Sequence, residues 1–189
     1  MRVFLCSLAF SVALPLLGFM NGAASANEAT NPPPQEVMQA IPGAHRLGGG
    51  TYTWFALHVY DAQLWSSADS KSFDYTRDPS WLELKYARDF KGAKIASKSR
   101  DEIEDMHPDL KDKTLDGWEK QMADIFPNVK EGQTLSALYQ PGKGIQFFKD
   151  GKPIAALKDE ALSKAFMAIW LDPKTSDPDF RRKLIGLSN

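Results

Sequence analysis

The sequence predicts an α+β fold with an antiparallel sheet. Three observations carry this. Bulky and β-branched residues gather in short runs, at Tyr52–Trp65, Trp81–Arg88, Thr134–Tyr139, Ile145–Phe148 and Pro153–Leu157. Apolar residues at helical spacing lie between the second and third runs and again after the last. Asp150-Gly151 then joins two runs as a hairpin turn, in which Gly accepts a positive φ. Strands, helices, strands and helices in that order read as an α+β domain.

The first segment reads as an address. Met1 and Arg2 precede an apolar run from Val3 to Leu17, and small residues end in Ala24-Ser25-Ala26. A positive start, a short apolar core and an A-x-A site make a secretory signal peptide cleaved after Ala26. The run is shorter than the roughly 20 residues that span a bilayer, and Pro15 interrupts it. Cys6, the single cysteine, lies in this core without a lipobox and leaves with it. An exported chain without cysteine fits a bacterial periplasm better than an endoplasmic reticulum route, where disulfides are common. Residues 27–35, with Pro32-Pro33-Pro34, read as a flexible tether. One domain spans 36–189.

Within it, Gly48-Gly49-Gly50 marks a turn ahead of the aromatic strand Tyr52–Trp65. By period 2, Tyr52, Trp54, Ala56, His58 and Tyr60 share one face. In the second strand Leu82, Leu84, Tyr86 and Arg88 share a face. Ser97 to His107 reads as a charged surface helix carrying Ile103 and Met106. Leu115, Trp118, Met122, Ile125 and Phe126 form one stripe of the next helix, with Thr114 as its cap and Pro127 as its stop. Leu162, Phe166, Ile169 and Trp170 form a third stripe, and Phe180, Leu184 and Leu187 a fourth, with Pro178 in its first turn.

Composition narrows the function. Hydrophobic residues make up 43% and charged residues 25% of the 189 positions, which excludes disorder, collagen, a coiled coil and a polytopic membrane protein. The 23 basic and 24 acidic residues nearly cancel, against a dedicated nucleic-acid binder. His45, His58 and His107 are far apart and lack metal-ligand spacing, so no metal site is expected. The acidic run Asp101–Asp105 lacks the spacing of a calcium loop and reads as a solvated helix face. No nucleophile elbow, phosphate loop or other cofactor motif is present. The aromatic strand remains: Tyr52, Trp54, His58 and Tyr60 either pack in the core or line a small-molecule pocket.

The order of motifs resembles the bacterial chalcone isomerase-like family. The resemblance is carried by Gly48-Gly49-Gly50, by Val59-Tyr60-Asp61-Ala62-Gln63-Leu64-Trp65 and by Leu82-Glu83-Leu84-Lys85-Tyr86-Ala87-Arg88-Asp89. Trp118, Ile125-Phe126-Pro127-Asn128-Val129, Gly132, Gly144 with Phe147-Phe148, and Ile169-Trp170-Leu171-Asp172-Pro173 continue it. It implies an open-faced β-sandwich, a large antiparallel sheet with a helical layer on one face and ligands bound between them. The catalytic members of the family use an arginine, a threonine and a tyrosine. Aligned on the motifs above, those positions hold Thr51, Phe55 and Ile95. The resemblance therefore implies a non-catalytic protein that binds a fatty acid or an aromatic, polyketide-like molecule and needs no cofactor. Trp54, His58, Tyr60, Tyr86 and Arg88 are the candidate ligand-binding residues, with Arg88 the anchor for an acidic head. The alternatives are an isomerase or lyase of a small enone-type substrate, with His58 as base and Tyr60 as donor, and an interaction module of the cell envelope.

Overall fold

The computed structural model describes residues 33–187; the expected signal peptide and most of the expected tether lie outside them. The described chain runs α1 (Gln35–Ala40), β1 (His45–Trp54), β2 (Leu57–Ser66), β3 (Ser80–Tyr86), α2 (Gly92–Met106), α3 (Asp112–Ile125), β4 (Thr134–Gln140), β5 (Gly144–Lys149), β6 (Lys152–Leu157), α4 (Glu160–Leu171) and α5 (Pro178–Leu184). The strands form one six-stranded sheet in sequence order, every neighbouring pair antiparallel. The architecture is α+β, as the sequence order implies.

Register explains the core. Leu64, Leu82, Ala137 and Phe147 are successive cross-strand partners. They make an apolar row across four strands, and each is at most 4% exposed. Ala62, Leu84 and Leu135 make the next row. Ile103 of α2, Leu115 and Met122 of α3, Phe166 of α4 and Phe180 of α5 belong to the same buried cluster. Burying each large apolar side chain contributes about 1.5–3 kcal/mol, so this helix-covered face holds most of the stabilising contacts. The other face is largely open. There α1 sets Val37 and Ile41 over Trp65, Trp81 and Leu138, a separate and smaller cluster.

Three expectations change here. The run Tyr52–Trp65 is two strands, because Phe55 (φ 46°) and Ala56 (φ 60°) turn the chain back on itself. This is the two-residue hairpin geometry that usually recruits Asn-Gly. Gly48-Gly49-Gly50 lies inside β1 instead of forming a turn. A Cβ on Gly48 would run into the Lys183 carbonyl and lie 2.8 Å from that of Leu184. The glycine lets the end of α5 press onto the strand. Finally, β3 ends at Tyr86, and Arg88 sits beyond it, exposed.

Helix boundaries shift for local reasons. The chain enters α2 at Gly92, five residues before Ser97. Thr114 lies within the first turn of α3, whose cap position is Lys111. Pro127 does end that helix: Phe126 is extended (φ −77°, ψ 119°), the conformation a following proline imposes. Leu187 falls outside α5 and is 39% exposed. Asp150 (φ 48°) and Gly151 (φ 74°) form the expected hairpin, and the Asp159 and Asp177 side chains cap α4 and α5.

Candidate functional site

A cavity of about 230 Å³ opens between the sheet and the helices. Its sheet wall is Tyr52, Val59, Tyr60, Leu84, Tyr86 and Leu135. Its helix wall is Ile95 of α2, Phe166, Ile169 and Trp170 of α4, and Phe180 of α5, with Phe90 from the loop before α2. Polar groups come from one side: Lys94, Lys98, Ser99 and Glu102 on α2, and Thr175, Ser176 and Asp177 ahead of α5. An apolar chamber with a few polar groups is the usual form of a small-molecule site.

The hairpin builds the sheet wall. Tyr52 and Tyr60 are register partners across β1 and β2, and their rings stack with centroids 5.0 Å apart. Tyr60 and Tyr86 are register partners across β2 and β3, with rings 5.9 Å apart edge to face. Three tyrosines on three adjacent strands thus face the same space. The Trp170 indole N–H donates to the Tyr60 hydroxyl at 2.9 Å. Burial pushes the Tyr60 and Tyr86 hydroxyls well above the ordinary tyrosine range, so both stay neutral donors. Burial also raises Tyr52.

At the polar side, Lys98 pairs with Glu102 at 2.7 Å, and this contact raises the lysine pKa. Ser176 donates to the other Glu102 oxygen at 2.7 Å, which ties the loop before α5 to α2. Lys94, Lys98 and Glu102 recur every four residues, so one face of α2 carries two cations and an anion to the cavity.

Of the residues singled out from sequence, the structure brings Tyr60 and Tyr86 to the cavity. Trp54 does not reach it; it stands 57% exposed beside the turn. His58 and Arg88 meet in a separate open hollow with Asp61, Lys85 and Glu131. There His58 Nε2 lies 3.1 Å from Asp61, which also accepts from Thr51 at 2.6 Å. A register shift, in which Tyr52 pairs with Tyr60 but Thr53 with His58, breaks the period-2 relation that placed His58 beside Tyr60, and the turn at Phe55-Ala56 separates Trp54 from both. Arg88 as an anchor is likewise displaced, because the strand stops two residues short of it. Of the positions aligned with catalytic residues, Ile95 lines the cavity, Thr51 is on the surface, and Phe55 is 83% exposed at the turn.

Sequence reasoning missed Lys94, Lys98 and Glu102 as site residues. Their four-residue spacing was legible, but the helix had been started at Ser97, downstream of Lys94. Trp170 and Phe180 were read only as core stripes.

The chain is 28% identical over 149 residues to an uncharacterised protein of Haemophilus influenzae, covering 78% of this chain and 71% of that one. The crystal structure of the Arabidopsis thaliana fatty-acid binding protein AtFAP1 superposes with a TM-score of 0.58 at 9% identity, over 77% of this chain and 88% of that one. The two proteins share a fold. Residues 46–186 match the sequence profile described as chalcone isomerase-like, and the protein belongs to that family.

Proposed function

We propose that this is a non-catalytic exported protein that holds an apolar or amphipathic small molecule, a fatty acid or an aromatic polyketide-like compound, between its sheet and its helices. The cavity carries the reading: its walls are aromatic and aliphatic, and its charged groups are confined to one side. The structural neighbour AtFAP1 is a fatty-acid binding protein, which supports it. The residues at the aligned catalytic positions, Thr51, Phe55 and Ile95, offer neither a cation nor a phenol. Residues 1–26 support export to a periplasm, and N-terminal sequencing of protein from its own host should begin at Asn27. Native mass spectrometry of that protein tests the binding reading. A co-purified apolar ligand, or saturable uptake of dodecanoate, is expected; the absence of both removes it.

One observation favours a second reading, that of an envelope interaction module. Trp54, Phe55 and Leu57 are 57%, 83% and 46% exposed on one hairpin tip. Exposed apolar clusters of this kind mark contact surfaces. A photo-crosslinker at Phe55 should then give a discrete protein adduct in cells, lost with Trp54→Ser.

A further inference from the structure

We propose that the Tyr60 and Tyr86 hydroxyls form a two-donor site for an uncharged carbonyl oxygen, so that the preferred ligand is a ketone or ester with apolar flanks. The inference rests on the cavity being a ligand site and names what that ligand carries.

A phenol supplies one proton and accepts on its oxygen. The Tyr60 oxygen accepts from Trp170, so its acceptor side is engaged and its proton is free for another partner. Tyr86 is 4% exposed and lines the cavity, and its hydroxyl has no hydrogen-bond partner among the described residues. The two are register partners and both line the cavity. Around them stand Leu84, Leu135, Phe166 and Phe180, whose side chains accept nothing. A hydroxyl that opens onto an apolar cavity is a donor available to whatever enters it. Two protons without a protein acceptor, on one wall of one cavity, mark where an acceptor arrives with the ligand.

The acceptor is neutral because the donors are. The sheet wall holds no cation, and Lys94 and Lys98 enter from the helix wall. A carboxylate held by two phenols alone would leave its charge uncompensated in apolar surroundings. A carbonyl oxygen has two lone pairs and no charge, so it can accept from both hydroxyls.

Displacement of the neutral dye N-phenyl-1-naphthylamine by 2-dodecanone, methyl dodecanoate, dodecanoate and dodecane tests this. On the wild type, the ketone or the ester should bind at least about ten-fold more tightly than dodecane. Tyr86→Phe should abolish that difference while leaving dodecane binding and the thermal midpoint no lower. The infrared carbonyl stretch of bound 2-dodecanone should be lower in the wild type than in Tyr86→Phe. Equal binding of all four probes, or a preference that survives Tyr86→Phe, overturns the donor pair and leaves the cavity reading standing. A preference for dodecanoate alone overturns the neutral-carbonyl assignment. If no probe displaces the dye, both readings fall.

Discussion

The indole N–H of Trp170 donates to the Tyr60 hydroxyl at 2.9 Å and joins α4 to β2 along the cavity wall. The bond is partly buried, so removing the acceptor leaves the indole N–H without a protein partner among the described residues. Tyr60→Phe should destabilise the protein by about 1–3 kcal/mol. Tyr86→Phe removes a hydroxyl that has no protein partner and should cost nothing in the absence of ligand. Urea unfolding of the two variants checks the contrast; equal losses would show that Tyr86 is also paired.

Phe55 occupies the left-handed region at φ 46° with an exposed side chain. A non-glycine residue there costs of order 1 kcal/mol. Phe55→Gly relieves that strain while giving the unfolded chain more freedom. The net expectation is a gain of up to about 1 kcal/mol, read as a higher urea midpoint with an unchanged slope. A loss of stability would mean that the Trp54–Phe55 ring contact, at 4.8 Å between centroids, outweighs the backbone term.

Gly48→Ala should act oppositely. Its Cβ would strike the α5 carbonyls, which are backbone and cannot rotate away. Overpacking of this kind costs about 1–3 kcal/mol. Thermal unfolding should show the loss, and Thr53→Ala on the exposed end of the same strand should not.

For an acidic ligand, the cations that count are on α2. Lys94→Met combined with Lys98→Met should weaken dodecanoate binding by about ten-fold or more, as loss of a charge-assisted contact does. Arg88→Met should leave it unchanged, since Arg88 lines the other hollow. Calorimetric titration separates the two outcomes.

Glu83 offers a test by pH. Burial in the open face raises its carboxyl pKa, against the weaker opposing effect of the Ser136 hydroxyl at 3.4 Å. The folded state therefore holds this proton more tightly than the unfolded chain. The resulting stabilisation is complete below the ordinary glutamate range and is lost as pH rises through the raised value. Glu83→Gln should unfold at a higher temperature than the wild type at neutral pH, with the gap closing toward about pH 4.

The sheet was legible in the sequence because its buried rows are bulky and its later turn, Asp150-Gly151, has the usual chemistry. The first hairpin was not, since Phe55-Ala56 gives no turn signal, and the aromatic run on both sides of it reads as one strand. That misreading carried Trp54 into the expected site and left Tyr52 without its cross-strand partner, and the register shift between His58 and Tyr60, which has no signature in the sequence, carried His58 there too. Tyr60 and Tyr86 survived because they are register partners that continue the alternation of Ala62 with Leu84 and of Leu64 with Leu82. The α2 side chains were lost for a different reason. The cap position before Gly92 is Lys91, which is not a capping residue type, and the structure shows no side-chain cap there.

The sheet runs in sequence order, yet β3 ends at Tyr86 and β4 begins only at Thr134, with α2 and α3 between them. It is thus two three-stranded meanders sutured along one seam. Within the meanders the connections β1–β2, β4–β5 and β5–β6 are tight and β2–β3 is longer, whereas the seam from Leu82 to Ala137 must await closure of the longest segment, an entropic cost met before any contact across it offsets it. The residues flanking that seam, Leu84 and Leu135, also line the cavity. The cavity wall is therefore complete only once that seam has closed.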